Sequence, residues 1–121
     1  MMIQNKFYLV QIVFASVLFF SSCKERDALG LERGIALYEL GQIDESIIEF
    51  KASIDFLSQS KFKHNKEKQK MLGQAYRNLA ISCSKKEWYD VALEHAKSAF
   101  NIFPSSENKE LIDLINNKAK D

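Results

Sequence analysis

Cysteine and histidine are the first side chains to consider for catalysis or metal binding in this sequence, and there are two of each. Cys83 lies four residues after Leu79 on an apolar helical face, so we expect it to pack in the core. A catalytic thiol needs a nearby base, and His95 would only border the buried face of the neighbouring helix. His64 and His95 are isolated from each other and from other metal ligands along the chain. We therefore expect no enzymatic activity, no metal and no cofactor.

The other cysteine, Cys23, follows an apolar run and a pair of small residues. The run covers residues 7–20, which is shorter than the ~20 apolar residues of a membrane-spanning helix and is typical of a secretory signal. The sequence Phe20-Ser21-Ser22-Cys23 resembles the lipobox of bacterial lipoproteins, although Phe20 departs from the usual aliphatic residue. In that family the cysteine carries a diacylglycerol and its new amine is acylated after cleavage.

The resemblance to lipoproteins implies a division of the N-terminal segment. Residues 1–22 would be the signal peptide, Cys23 the lipidated residue and 23–27 a short tether. Several acyl chains on one residue give stable membrane attachment. Two alternatives remain open, a simple signal peptide cut near Ser22 and an uncleaved N-terminal anchor.

Charge and length limit what the remaining chain can do. Removing residues 1–22 leaves 99 residues of zero formal charge, because it removes one of the 17 basic residues and none of the 16 acidic ones. A nucleic-acid-binding protein would carry a strong basic excess. A chain of this size predicts one domain, which we place at residues 28–121.

The stretch from Tyr76 to Pro104 has two helical periods separated by a short polar segment. Large apolar residues of the first period face alanines of the second, so that the two helices can pack closely, and Pro104 ends the second helix. The stretch resembles a tetratricopeptide repeat, which is a pair of antiparallel helices. Cys83, Glu87 and Ala96 depart from the family pattern, and a generic helical hairpin is the alternative. The matching residues are Tyr76, Leu79, Ala80, Ala92, Ala99 and Pro104.

A weaker match to the same repeat precedes it, at about 28–58, with the second repeat at about 73–104. We expect Asp27 and Asp44 to cap the two helices of the first repeat and Gly41 to adopt a left-handed conformation between them. A capping helix at 106–119 would begin at Ser105 or Ser106. The predicted fold is all-α, with about five antiparallel helices in two tetratricopeptide-like hairpins and a C-terminal cap, a short α-solenoid. The matching residues of the first repeat are Gly34, Leu37, Gly41, Ile43, Ser46, Phe50 and Ser53.

A basic segment separates the two repeats. Gly34 and Ala80 occupy the same place in the pattern but lie 46 residues apart, whereas the family spacing is about 34 residues. This segment predicts a solvated extension of the next helix from Asn65, and a basic patch for an acidic partner or anionic lipid is the alternative. Its lysines are Lys61, Lys63, Lys66, Lys68 and Lys70.

The resemblance also implies a groove that binds a partner protein, lined by the first helix of each repeat. Apolar residues beside an arginine would suit an amphipathic helix or a chain end with a carboxylate. The protein's own C-terminal helix could instead cover part of this surface. The implied groove residues are Leu31, Ile35, Tyr38, Arg77, Ile81 and Ser84.

A lipidated cysteine followed by tetratricopeptide-like repeats is similar to the BamD family of outer-membrane β-barrel assembly lipoproteins. This resemblance implies a non-enzymatic adaptor on the periplasmic face of the outer membrane, with the β-barrel assembly protein as its partner. The chain has room for two repeats where that family commonly has about five. The alternatives are a lipoprotein, surface-exposed or periplasmic, that binds other envelope or host proteins, and a small helical carrier of a hydrophobic ligand.

Overall fold

The computed structural model describes residues 26–121, and this part of the chain is all-α, as predicted. Its five helices are α1 (Arg26–Glu39), α2 (Ile43–Leu57), α3 (Lys66–Lys85), α4 (Tyr89–Ile102) and α5 (Ser106–Lys120), and a 3-10 turn covers Ser60–Phe62. Each helix packs on the next one along the chain, and α1 also touches α3.

Helices α1 and α2 form an antiparallel pair that packs closely through glycine. A Cβ atom on Gly34 would lie 2.5 Å from the Phe50 ring, and one on Gly30 would lie 2.9 Å from Ser53 Oγ. Because the residue number falls on α1 as it rises on α2, these contacts show that the helices run in opposite directions. Only a residue without a side chain permits this approach at Gly34.

The turn between α1 and α2 is closed by the backbone. Gly41 adopts a φ of 78°, as expected, and the Gln42 N–H donates to the Leu37 carbonyl at 2.9 Å. Helix α2 begins at Ile43 after Gln42, without a side-chain cap. The predicted Asp44 cap is therefore wrong: Asp44 lies in the first turn, where its charge suits the helix dipole. Helix α1 begins at Arg26, so the expected start after Asp27 is also wrong.

Helices α3 and α4 are joined by a turn of the same geometry, 46 residues later. Glu87 has a φ of 62° where Gly41 has 78°, and the Trp88 N–H donates to the Cys83 carbonyl at 3.0 Å. The residues before α2 and α4 have nearly identical backbone angles, φ −84° and ψ 71° at Gln42 and φ −85° and ψ 65° at Trp88. The two hairpins thus share one turn conformation at a fixed offset in sequence.

The basic segment between the hairpins extends the third helix from Lys66 onwards, and its first part forms the 3-10 turn. Helix α3 begins at Lys66, and the Oδ1 atom of the preceding Asn65 accepts from the Lys68 N–H at 3.0 Å. The 3-10 turn before it is fixed by the Phe62 ring, whose centroid lies 5.3 Å from that of Phe56.

The connection between α4 and α5 is held by buried hydrogen bonds. Helix α4 ends at Ile102, before Pro104, which is where a proline stops a helix. Ser105 caps α5 through its Oγ atom, which accepts from the Asn108 N–H at 3.1 Å. Asn108 Nδ2 donates to the carbonyls of Phe103 at 2.8 Å and Ala99 at 3.4 Å. This side chain therefore fixes the angle at which α5 leaves α4.

One hydrophobic core runs through the described helices. Cys83 is 1% exposed within it, which confirms its predicted place in the core. Ser46 and Ser82 are also fully buried, and their Oγ atoms lie 3.1 Å apart between α2 and α3. The apolar core side chains are Leu31, Ile47, Phe50, Ile54, Leu57, Leu72, Ala75, Leu79, Ala80, Cys83, Ala92, Ala96, Leu111 and Ile115.

The helix directions give the molecule two distinct ends. Lys86 Nζ lies 2.8 Å from Asp44 Oδ1, so the turns at 40–42 and 86–88 lie together at what we call the turn end. The start of α1, the linker at 58–65 and the connection at 103–105 lie at the opposite end, which we call the linker end. Helices α1, α3 and α5 all run from the linker end to the turn end.

Candidate partner-binding groove

A surface groove lies between α1, α3 and α5 towards the turn end. It consists of two adjoining clefts of about 200 and 170 Å³, and Tyr38 and Ile81 line both of them. The remaining residues of the first cleft are Ser84, Lys85, Leu111, Leu114, Ile115 and Lys118. The remaining residues of the second cleft are Ile35, Glu39, Phe50 and Asn78.

Helical spacing places these side chains on one surface. Ile35 and Tyr38 are three residues apart on α1, and Ile81 and Lys85 are four residues apart on α3, so each pair lies on one helix face. The packing of α1 against α3 then brings the two faces side by side. Ile35 is 38% exposed, so it keeps apolar surface available in the groove.

Four of the six predicted groove residues meet in this groove, namely Ile35, Tyr38, Ile81 and Ser84. Leu31 is only 7% exposed and belongs to the hydrophobic core. It therefore offers almost no surface to a partner.

Arg77 also lies outside the groove. Its Nη1 atom donates to Asn108 Oδ1 at 3.2 Å, and its side chain lines a separate cleft of about 130 Å³ with Gly73, Phe103 and Glu107. The guanidinium helps to seat α5 against α3, so its main contact is within the protein. Arg77 therefore does not lie where the sequence predicted a carboxylate-binding arginine, in the groove.

Helix α5 supplies groove residues that sequence reasoning did not assign to a site. Leu114 is 51% exposed beside Leu111 and Ile115, which are buried in the core. The sequence predicts a cap on the stack for this helix, which could cover part of the groove, but no binding residues on it. The helix does cover core, and its outer edge also forms one wall of the groove.

The groove combines an apolar floor with charged groups at its edges. Lys85 and Lys118 line the first cleft, whereas Glu39 lines the second on the far side of Tyr38. An extended apolar strip with lysines at one end fits a helix that carries apolar residues on one face and carboxylates beside them. Among the described residues, no group of three or more His, Cys, Asp or Glu side chains could hold a metal ion.

The lysines of the basic segment lie in two environments. Lys61 Nζ lies 5.0 Å from the Phe62 ring centroid and Lys68 Nζ lies 5.5 Å from it, within cation–π range. The other three line a cleft of about 400 Å³ at the linker end, namely Lys63, Lys66 and Lys70. This segment is thus a formed surface, separate from the groove.

Cys23, the predicted lipidation site, lies outside the described residues. Within residues 26–121, no helix combines the length and apolar character needed to cross a membrane.

Comparison of the chain with models of known protein families, with curated proteins and with solved structures found no match.

Proposed function

We propose that this protein is a lipid-anchored, tetratricopeptide-like adaptor that binds an amphipathic helix of a partner protein in the groove between α1, α3 and α5. The observation that carries the proposal is the repetition of one hairpin at an offset of 46 residues. Gly41 and Glu87 share a left-handed conformation, and the hydrogen bonds that close both turns are equivalent.

Burial at equivalent positions of the two hairpins supports the repeat. Ser46 and Ala92 are both 0% exposed, and Phe50 and Ala96 are 1% and 0% exposed. The small residues Ser46 and Ala92, together with the buried side chains of Phe50 and Ala96, let the two helices of each hairpin pack closely. Repeats of this kind stack so that their first helices line one surface, and the contact between α1 and α3 supports this arrangement.

The partner that best fits the whole molecule is a protein of the outer-membrane β-barrel assembly machinery. The support is the sequence resemblance to the BamD family, together with a groove that is lined by apolar side chains and lysines. On this proposal Cys23 carries the lipid, the domain lies on the periplasmic face of the outer membrane, and the groove holds a helical segment of the assembly protein.

The test compares two matched substitutions in the lipidated protein. Ile35→Lys places a charge in the groove, whereas Ile48→Lys makes the same change on α2 at a side chain that is 65% exposed and outside the groove. After cross-linking in native membranes and affinity purification, mass spectrometry measures how much β-barrel assembly protein is recovered. We expect Ile35→Lys to reduce recovery at least about tenfold, since truncating or charging a central contact commonly costs about 2 kcal/mol.

Ile48→Lys should leave recovery within about twofold of the wild type, because exposed substitutions outside an interface change little. Equal loss in both variants would show that the groove is not the binding surface. Recovery of no β-barrel protein from the wild type would refute the assembly role and leave the adaptor to be assigned to another partner.

A further inference from the structure

The linker end of the molecule concentrates positive charge that the proposed groove does not use. Between residues 60 and 70 there are five lysines and a single acidic residue, Glu67. Helices α1, α3 and α5 all begin at this end, and a helix N-terminus carries about half a positive charge. Lysines at the start of α3 oppose its own dipole, so their arrangement does not serve helix stability.

A cleft at this end combines cations with exposed apolar surface. Lys63, Lys66 and Lys70 surround about 400 Å³ together with Ile102 and Phe103. Phe103, which lies between the end of α4 and Pro104, is 45% exposed. Lysines beside an exposed aromatic ring are the combination that peripheral proteins present to the interface of an anionic membrane.

The proposed lipid anchor must lie near this cleft. Cys23 precedes Arg26 by three residues, and three residues span at most ~11 Å even when fully extended. Arg26 begins α1, and the contact of Gly30 with Ser53 places that start beside the end of α2. The linker that carries the lysines follows α2 directly, so anchor and cleft share one end of the molecule.

We propose that the linker end docks on the anionic headgroups of the membrane that holds the lipid anchor, with Phe103 at the interface and Lys63, Lys66 and Lys70 on the headgroup phosphates. This inference rests on the proposed lipidation of Cys23 and adds an orientation to it. The axes of α1, α3 and α5 then point away from the membrane, and the groove opens towards the turn end.

Two indole positions test this orientation. Trp88, the single tryptophan, lies at the turn end, about 30 Å from the start of α3 because 20 residues rise 1.5 Å each. A second protein carries Phe103→Trp together with Trp88→Phe. Both are prepared in lipidated form and reconstituted in vesicles whose lipids bear bromine on the acyl chains. One set of vesicles has only zwitterionic headgroups, and in the other about one-third of the headgroups are anionic.

We expect brominated lipid to quench the fluorescence of the Phe103→Trp protein at least about twofold in anionic vesicles, and Trp88 in the wild type to stay unquenched. Adding Lys63→Gln, Lys66→Gln and Lys70→Gln to the Phe103→Trp protein should abolish most of the quenching, since each lysine near an anionic surface contributes about a fivefold factor in binding. The matched control adds Lys51→Gln, Lys97→Gln and Lys120→Gln, which removes the same charge elsewhere and should leave quenching unchanged.

The outcomes separate the anchor from the docking. The intact mass of the protein recovered from membranes shows whether Cys23 is lipidated, and an unlipidated Cys23 overturns both proposals. A lipidated protein with no quenching at the Phe103→Trp position refutes the docking alone. If the indole at position 103 is shielded in native membranes but not in vesicles, the lysines bind an acidic protein instead of lipid. This result would also refute lipid docking.

Discussion

At the scale of single residues, the two hairpin turns adopt the same left-handed backbone conformation at different residue types. Gly41 and Glu87 both adopt positive φ values, 78° and 62°. Glycine accepts this conformation without a steric penalty, whereas a residue with a Cβ loses roughly 1–2 kcal/mol there. The second hairpin therefore folds in spite of Glu87, because the packing of α3 against α4 requires the turn.

Replacing Glu87 by glycine should stabilise the protein. We expect Glu87→Gly to raise the free energy of unfolding by about 0.5–1 kcal/mol, since the relief of strain exceeds the entropy cost of glycine. The measurement is the midpoint of urea unfolding. The control is Glu94→Gly in the middle of α4, which should lower stability by about 1 kcal/mol. A lower midpoint for Glu87→Gly would contradict the strain argument.

The stability of the protein should depend on pH through His95. Burial lowers the pKa of His95; Glu94 opposes this shift and Lys51 adds to it. The ring lies against Tyr76, with the two centroids 6.0 Å apart. The unfolded chain therefore takes up a proton near pH 6.5 while the folded protein does so only at lower pH. Stability should fall as the pH decreases through 6.5.

Urea unfolding between pH 8 and about pH 5.5 measures this effect. His95→Gln should flatten the pH dependence of stability over that range. A pH dependence that persists unchanged in His95→Gln would refute the prediction.

At the scale of helices, two buried serines join the first hairpin to the second. Ser46 Oγ donates to the Ile43 carbonyl at 2.7 Å, so its hydrogen is engaged and the Ser82 hydroxyl must donate to Ser46 Oγ. Ser82 has this one acceptor between α2 and α3, whereas Ser46 has two partners. Removing the Ser46 hydroxyl should therefore destabilise the protein more than removing the Ser82 hydroxyl.

Double substitution of these serines should be strongly non-additive. We expect Ser46→Ala to cost about 1–2 kcal/mol, because it leaves a buried hydroxyl on Ser82 without an acceptor, and Ser82→Ala to cost less. The double variant should be more stable than the sum of the two single losses predicts, by about 1 kcal/mol.

Urea unfolding of the wild type, the two single variants and the double variant completes this cycle. Ser98→Ala is the control, because its Oγ bonds only to the Glu94 carbonyl of its own helix, and it should change stability little. Additive losses within the error of measurement would show that the two hydroxyls do not depend on each other.

At the scale of the whole molecule, α5 converts a stack of two hairpins into a groove with three walls. Its buried edge, at Leu111 and Ile115, closes the core, and its exposed Leu114 faces the cleft beside Tyr38. The two proposed surfaces, groove and basic linker end, lie on different parts of the molecule. In the proposed orientation, the protein can bind the membrane through its linker end and a partner in the groove at the same time.

Exposure to protease on intact cells tests the side of the membrane on which the domain lies. On the proposed periplasmic location, added protease should degrade the protein only after the outer membrane is permeabilised, because the intact membrane excludes the enzyme. Immunoblotting of both samples measures the surviving fraction, with a known surface protein and a known periplasmic protein as controls. Degradation on intact cells would refute the periplasmic adaptor and favour a surface lipoprotein.

Most local features of the fold were predictable because they depend on neighbours in sequence. Gly41 adopts its left-handed turn, Ser105 caps α5 and Pro104 follows the end of α4, since each acts within one helical turn. The predicted cap at Asp44 failed because the neighbouring backbone supplies the closure instead. The bond from the Gln42 N–H to the Leu37 carbonyl closes that turn, so α2 starts two residues earlier than a cap at Asp44 would place it.

The sequence by itself determined the number of helices, the turns between them and the apolar face of each helix, because hydrophobic periodicity and turn signals are properties of short segments. The tertiary structure decided which exposed residues form a site. It buried Leu31 in the core, bound Arg77 to Asn108 and brought Leu114 and Lys118 beside Tyr38. These contacts join helices far apart in sequence, and the angle at which α5 packs, which Asn108 fixes, has no signature in a linear pattern.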